Sequence, residues 1–239
     1  MKKLFAFIGS PKKSGKSNTS IICQELINIV HDRFKDIKTE IITAGDIKLE
    51  FCSGCGECIK TGRCGLDKKD NMPLLKQKIS EADIIIWGSP VYTYSVSGQM
   101  KTFMDRLCSN YHSMPLIGKL GVSIATTGID GLEQVHNLNE ALLGALGIPV
   151  ISKIGFTQNQ IFEKYCTRKE ILENSAQKIV NYIQNNKDFT SNDFIEEVYK
   201  IMKVRVSEIF KYIPDSKEPD IFKYDTFLDA YKESIKSIS

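Results

Sequence analysis

The sequence predicts an α/β fold built on a parallel sheet, and three observations carry the prediction. Apolar runs of strand length recur along the chain, segments of helical period lie between them, and one run, Asp83-Ile-Ile-Ile-Trp-Gly88, is apolar enough for a central parallel strand. At 239 residues, 42% apolar and 26% charged, the chain has material for one good core and an extension.

The elements follow in order. Leu4 to Ile8 reads as a first buried strand, followed by a helix through Ile21, Ile22, Leu26, Ile29 and Val30. Lys38 to Thr43 gives a second strand, and a cysteine-containing loop precedes a helix around Pro73 to Ile79. The Asp83–Gly88 strand leads to a helix from Ser97 to Leu107. Leu120 to Thr126, the helix Leu132 to Leu146, the strand Pro149 to Phe156 and the helix Arg168 to Ile183 complete the pattern. Five parallel strands with interleaved helices fit a flavodoxin-like three-layer fold of strand order 2-1-3-4-5.

Character changes at Asn185-Asn-Lys-Asp188, which divides the chain into a domain over 1–186 and a helical extension over 187–239. Phe194, Val198, Ile201, Met202, Ile209 and Ile213 recur at helical spacing. Such a stripe packs on its own domain or in a second subunit, and the second reading makes the protein a homo-oligomer. Pro214 to Pro219 is a connector, and Tyr224 to Ile238 forms one more short helix.

Net charge of +3 is too mild, and the lysines too scattered, for a nucleic-acid partner. The apolar run after the two initial lysines stops at Gly9, too short for a secretory segment, and no other run approaches a membrane span. The expected location is cytoplasmic, with no membrane partner and with reduced thiols.

Four of the seven cysteines, Cys52, Cys55, Cys58 and Cys64, lie in one glycine-rich stretch with C-x2-C-x2-C-x5-C spacing. That spacing gathers four sulfurs locally, as an iron–sulfur cluster requires. Zinc, which takes its cysteines from two separated pairs, and a loop of free thiols are the competing readings. Cys23, Cys108 and Cys166 lie apart and read as ordinary buried thiols. His31, His112 and His136 read as structural, and Asp105 and Arg106 as a surface or helix-packing pair.

The stretch from Gly9 to Thr19 joins the first strand to the first helix, where free backbone N–H groups and the helix dipole favour an anion. Gly15-Lys16-Ser17 imitates a nucleotide-triphosphate loop, but Gly9 stands one residue too far away. An ordinary strand–helix turn capped by Ser17 or Asn18 is the plain alternative. With no G-x-G-x-x-G present, a resident NAD is disfavoured. A second segment, from Ser89 to Arg106, leaves the carboxyl end of the central strand, the side on which open α/β sheets bind ligands. Pro90, Tyr92 and Tyr94 suit a flat aromatic ring system.

Gly9-Ser10-Pro11 with Ser17-Asn18-Thr19, and Ser89-Pro90-Val91-Tyr92 with Lys101 and Asp105-Arg106, together resemble the NADPH-dependent FMN reductase family. The cysteine loop resembles that of its iron–sulfur flavoprotein branch. The resemblance covers about residues 1 to 185 and implies an NAD(P)H-dependent FMN oxidoreductase. By position it implies that Ser10, Lys12, Ser17, Asn18 and Thr19 hold the FMN phosphate. Pro90, Val91, Tyr92 and Thr93 would line the isoalloxazine ring, and Thr126, Thr127 and Gly128 would approach the ring or ribityl chain. Cys52, Cys55, Cys58 and Cys64 would hold a [4Fe–4S] cluster. Lys12 stands where relatives commonly carry arginine, leaving a point charge in place of a bidentate fork.

Hydride transfer to the flavin requires no acid–base side chain, so no catalytic residue is assigned. NAD(P)H is expected as a transient co-substrate, and a small molecule or a protein as electron acceptor. The rival function is a non-enzymatic carrier in which FMN and a cluster exchange electrons between proteins; ATP-dependent phosphate chemistry is a more distant third.

Overall fold

The computed structural model describes residues 1–163, 165–185, 189–210 and 219–236. The expectations at His112, Cys166, Ile209 and Ile213 concern side chains outside the described residues.

The chain runs β1 (Lys2–Ile8), α1 (Asn18–Arg33), β2 (Ile37–Thr43), α2 (Glu57–Thr61), α3 (Met72–Glu81), β3 (Ile84–Tyr92), β4 (Ser95–Val96) and α4 (Gly98–Asp105). It continues through β5 (Leu120–Thr127), α5 (Leu132–Ala145), β6 (Val150–Thr157), α6 (Gln158–Glu163), α7 (Tyr165–Gln184), α8 (Asp193–Phe210) and α9 (Phe227–Lys236). Five strands pair in parallel in the order β2-β1-β3-β5-β6, the expected flavodoxin-like order. The two residues of β4, too few to leave a periodic signal, pair antiparallel with the end of β3.

Parallel strands covered on both faces must be apolar on both, and β5 is buried along its whole length. One core layer joins Ile22, Leu26 and Val30 of α1 to Leu172, Ala176 and Ile179 of α7. The other joins Leu75 and Ile79 of α3, Phe103 of α4 and Leu143 of α5 around Phe7 and Trp87. Phe7 and Phe103 stack with centroids 4.1 Å apart, and Trp87 meets Phe103 edge-on at 5.5 Å.

The extension packs on this domain. Ile195, Tyr199, Met202 and Val206, one face of α8 at spacings of four, three and four, are buried within the chain. Of the expected stripe, Met202 belongs to that face, whereas Phe194 and Ile201 are exposed. The buried ridge lies one step round the helix because Tyr199 and Val206, not Phe194 and Ile201, face inward. Tyr231 of α9 donates to the Tyr182 hydroxyl of α7 at 2.7 Å.

The sheet positions the site. β1 lies between β2 and β3, so the chain leaves β1 toward one side and later returns on the other. The crevice at the carboxyl ends of β1 and β3 is the topological switch point where such sheets accept ligands.

Candidate functional site

The Gly9 N–H donates to the Gly88 carbonyl at 2.7 Å, and the Ser97 hydroxyl donates to the Gly9 carbonyl. The ends of β1 and β3 and the start of α4 are thereby joined at one residue. A Cβ at Gly9 would lie 2.4 Å from the Met100 Cβ, so only glycine lets α4 approach this closely.

The loop after Gly9 turns back on itself. The Ser10 hydroxyl accepts from the Lys12 N–H at 3.2 Å, and Asp46 accepts from the Ser14 N–H at 2.9 Å. Ser17 is the N-cap of α1 and forms a capping box with Ser20. The expected plain role of Ser17 is therefore real, but the cap serves the Ser20 amide. The Asn18 and Thr19 amides, in the first helical turn, have no intrahelical acceptor, which leaves anion-directed donors at the positive end of the helix. The hydroxyls of Thr19 and Thr126 meet at 2.6 Å, tying the start of α1 to the end of β5.

Four chain segments converge on one open cleft of about 150 Å³. It is lined by Ser10, Lys12, Ser17, Asn18, Thr19, Pro90, Val91, Tyr92, Thr126, Thr127, Gly128 and Gln158. Every residue expected at the flavin site lies here except Thr93. That residue sits at φ +51° beside Tyr94 at φ +57°, in the tight turn between β3 and β4 that carries it out of the lining. Gln158 was not foreseen; its only signal is its place just after the carboxyl end of β6. A larger hollow of about 580 Å³ beside Leu120, Ile151, Lys178 and Phe189 opens at the first residues of β5 and β6, the wrong end of a parallel sheet for a ligand.

The donor set of the cleft fits FMN. Hydroxyls, a lysine and free helix-start amides stand at one end for a phosphate. A proline, a valine and a half-exposed tyrosine ring stand at the other for an aromatic system.

The cysteine loop emerges through a narrow neck. The Lys48 N–H donates to the Asn71 side chain at 2.9 Å, and the Asn71 N–H returns to the Lys48 carbonyl at 3.0 Å. Asp70 accepts from the Glu50 and Met72 N–H groups at 2.8 and 2.9 Å. Beneath them Arg106 binds Asp70, Asp67 at 2.7 Å and the Glu50 carbonyl at 2.9 Å. Burial alone would raise the Asp70 carboxyl, but the hydrogen bonds from Arg106, Glu50 and Met72 hold it below the ordinary carboxylate range. The pairing foreseen for Arg106 is thus a buried one made across the fold, and it gives Asp67 and Asp70 their role.

Within the loop, Gly54 and Gly56 take φ of +67° and +71°, turning the backbone around the sulfurs. Cys52 and Cys55 are exposed, whereas Cys58 and Cys64 are partly covered. The Glu57 N–H, and then the Ser53 side chain, lower the Cys55 thiol. No group of three or more His, Cys, Asp or Glu side chains converges as a metal centre among the described residues. The chemistry of four thiols in one glycine-bent loop nonetheless suits an iron–sulfur cluster. Cys108, expected to stand apart, lies beside this loop: it opens a short 3-10 turn after α4 that packs against α2, with the Cys58 and Cys52 thiols among its neighbours. Burial first, then these neighbouring thiols, push the Cys108 thiol up.

Residues 2–163 match the family model described as NADPH-dependent FMN reductase. An iron–sulfur flavoprotein of Archaeoglobus fulgidus is 35% identical over 156 residues, covering 64% of this chain and 68% of that protein. One of Clostridioides difficile is 25% identical over 229 residues, covering 94% of this chain and 95% of its own. Among solved structures, an NADH:FMN oxidoreductase in its apo form superposes with a TM-score of 0.59 at 19% identity, covering 82% of this chain and 94% of that one.

Proposed function

The chain belongs to the NADPH-dependent FMN reductase family, in its iron–sulfur flavoprotein branch, and is an NAD(P)H-dependent FMN oxidoreductase; from that premise we propose how its own residues serve the reaction. Bound in the cleft, FMN would supply the two-electron chemistry, taking hydride from NAD(P)H and passing electrons to a small-molecule or protein acceptor. Ser10, Lys12, Asn18 and Thr19 hold the phosphate, with Ser17 keeping the α1 terminus open as its cap. Pro90, Val91 and Tyr92 line the ring, with Thr93 shaping the turn behind them. Thr126, Thr127 and Gly128 border the ribityl chain, and Gln158 adds an amide that can donate or accept at the rim. Backbone and hydroxyl donors lining the cleft would favour the negative charge of the reduced ring when FMN is bound.

The observation that supports this reading is the meeting of four separate chain segments in one cleft at the switch point. Ser17→Ala with Asn18→Ala should weaken FMN far more than riboflavin, since only FMN carries the phosphate. Equal losses for the two ligands would sink the phosphate assignment.

The same proposal includes a [4Fe–4S] cluster on Cys52, Cys55, Cys58 and Cys64 as a relay to the acceptor, and a homo-oligomer formed through the exposed Phe194, Ile201 and Val204. Residues 1–186 would be the catalytic domain and 187–239 an extension that braces it. Iron and acid-labile sulfide, measured after anaerobic reconstitution beside a Cys55→Ser control, test the cluster; sedimentation tests the oligomer.

A further inference from the structure

Pro90 leaves a gap in the sheet. β1 and β3 pair in parallel with Ile8 opposite Gly88, and the Gly9 N–H donates to the Gly88 carbonyl at 2.7 Å. In this register the next rung of the ladder would run from the N–H of residue 90 to the Gly9 carbonyl. Residue 90 is a proline and has no N–H to give. The Gly9 carbonyl instead accepts the hydroxyl of Ser97, the N-cap of α4.

Ser97 reaches the other side of the gap as well. Its N–H donates to the Ser89 hydroxyl oxygen at 3.0 Å, and that hydroxyl donates to the Pro90 carbonyl at 2.8 Å. The Ser97 oxygen also accepts from the Met100 N–H at 3.0 Å, so the same side chain caps α4. Ser89 and Ser97 are both fully buried, and neither lines the cleft. Gly9 opens the loop that brings Ser10, Lys12 and Asn18 to the phosphate side, whereas Pro90 begins the wall on the ring side. One buried serine therefore holds the roots of both halves.

We propose that Ser97 is a positioning residue for the flavin: its hydroxyl closes the rung that Pro90 leaves open and so fixes the separation of the phosphate loop from the ring wall. The inference rests on the reading of this cleft as an FMN site. FMN engages both halves at once, so its affinity depends on their spacing, as the affinity of two linked groups depends on the span between their sites. Riboflavin lacks the phosphate and engages the ring side alone. Loss of the Ser97 hydroxyl should therefore erode the preference for FMN over riboflavin and leave riboflavin binding in place.

The test titrates FMN and riboflavin into the full chain freed of flavin, following the quenching of their fluorescence. Ser97→Gly removes the hydroxyl and keeps a residue tolerated as an N-cap. It should lower FMN affinity about tenfold, roughly the worth of one hydrogen bond, while riboflavin binding holds and shows that the domain is folded. Ser97→Thr, which keeps the hydroxyl, should retain the wild-type ratio of the two affinities. Pro90→Ala added to Ser97→Gly returns an N–H to residue 90, so the backbone closes the rung itself. The ratio should then recover, although losing the proline ring weakens both ligands. A ratio unchanged by Ser97→Gly, an equal loss of both ligands, or a ratio that Pro90→Ala does not restore would each overturn this inference alone. A wild type that binds riboflavin as tightly as FMN would overturn the FMN reading and this inference with it.

Discussion

Arg106 and Asp70 form an ion pair with both side chains fully withdrawn from solvent, thirty-six residues apart in sequence. Two buried charges gain little over an apolar pair, but removing one strands the other. Arg106→Leu should therefore cost about 3–5 kcal/mol, measured by denaturant unfolding, and Arg106→Leu with Asp70→Leu less than either change alone. The single variants should also be cleaved faster by protease between Phe51 and Lys69, where the neck no longer holds. Equal protease resistance would show that the Lys48–Asn71 hydrogen bonds secure the loop unaided.

His136 is a buried imidazole whose Nδ1 lies 2.8 Å from the Ser123 hydroxyl, which also accepts from the Asn139 amide at 2.9 Å. The Ser123 hydroxyl can donate to Nδ1 while it accepts from Asn139, an arrangement that the neutral ring fits. Burial first, then nearby Lys153, lower its pKa to about 4. The unfolded chain thus binds a proton that the folded chain refuses between pH 6.5 and about 4. Stability contributed by the neutral ring is complete above pH 6.5 and declines as pH falls, by up to about 1.4 kcal/mol per pH unit within that window. His136→Gln should flatten the slope between pH 6.5 and 5 in chemical denaturation; an unchanged slope would assign it to other groups.

Thr93 and Tyr94 occupy the two central positions of a tight turn at positive φ, a geometry suited to Asn-Gly and costly for a β-branched residue. Thr93→Asn with Tyr94→Gly should raise stability by about 1–2 kcal/mol in thermal unfolding. FMN affinity should change little, since neither side chain lines the cleft. A large loss of affinity at higher stability would mean that the original turn holds Tyr92 in place.

Removing everything after Lys187 should uncover Tyr182 and Ile183, which lie against the extension, and lose the buried Tyr199, Phe227 and Tyr231. Each such anchor is worth about 1.5–3 kcal/mol, so the remaining domain should melt measurably lower by calorimetry. An unchanged midpoint would make the extension a passive appendage.

What could be read from the sequence was local. The β1–α1 loop declares itself because strand, glycine, hydroxyl run and helix adjoin, and Pro90 to Tyr92 because they follow the most apolar strand. Arg106, Asp67 and Asp70 join only when α4 and the cysteine loop meet in space, and a charge late on a helix carries no mark of its partner. Cys108 was hidden for the same reason. Tyr199 and Val206 escaped because a tyrosine hydroxyl and a single valine blur a stripe whose true face is set by α5 and α9. Gln158 has no pattern around it; only the arrival of β6 beside β5 brings it to the cleft.

The neck at Lys48 and Asn71 has a consequence for how this chain could have been assembled and can be rebuilt. The backbone leaves and re-enters the flavin domain at two residues that hydrogen-bond to each other. Glu50, Asp70 and Arg106 close the opening from within. The segment from Phe51 to Leu66 is thus an interchangeable cassette, with Asp67 left in place on Arg106 and Lys76: a short turn grafted onto that clasp should leave β2 and α3 in register, and another loop could be spliced in at the same two points.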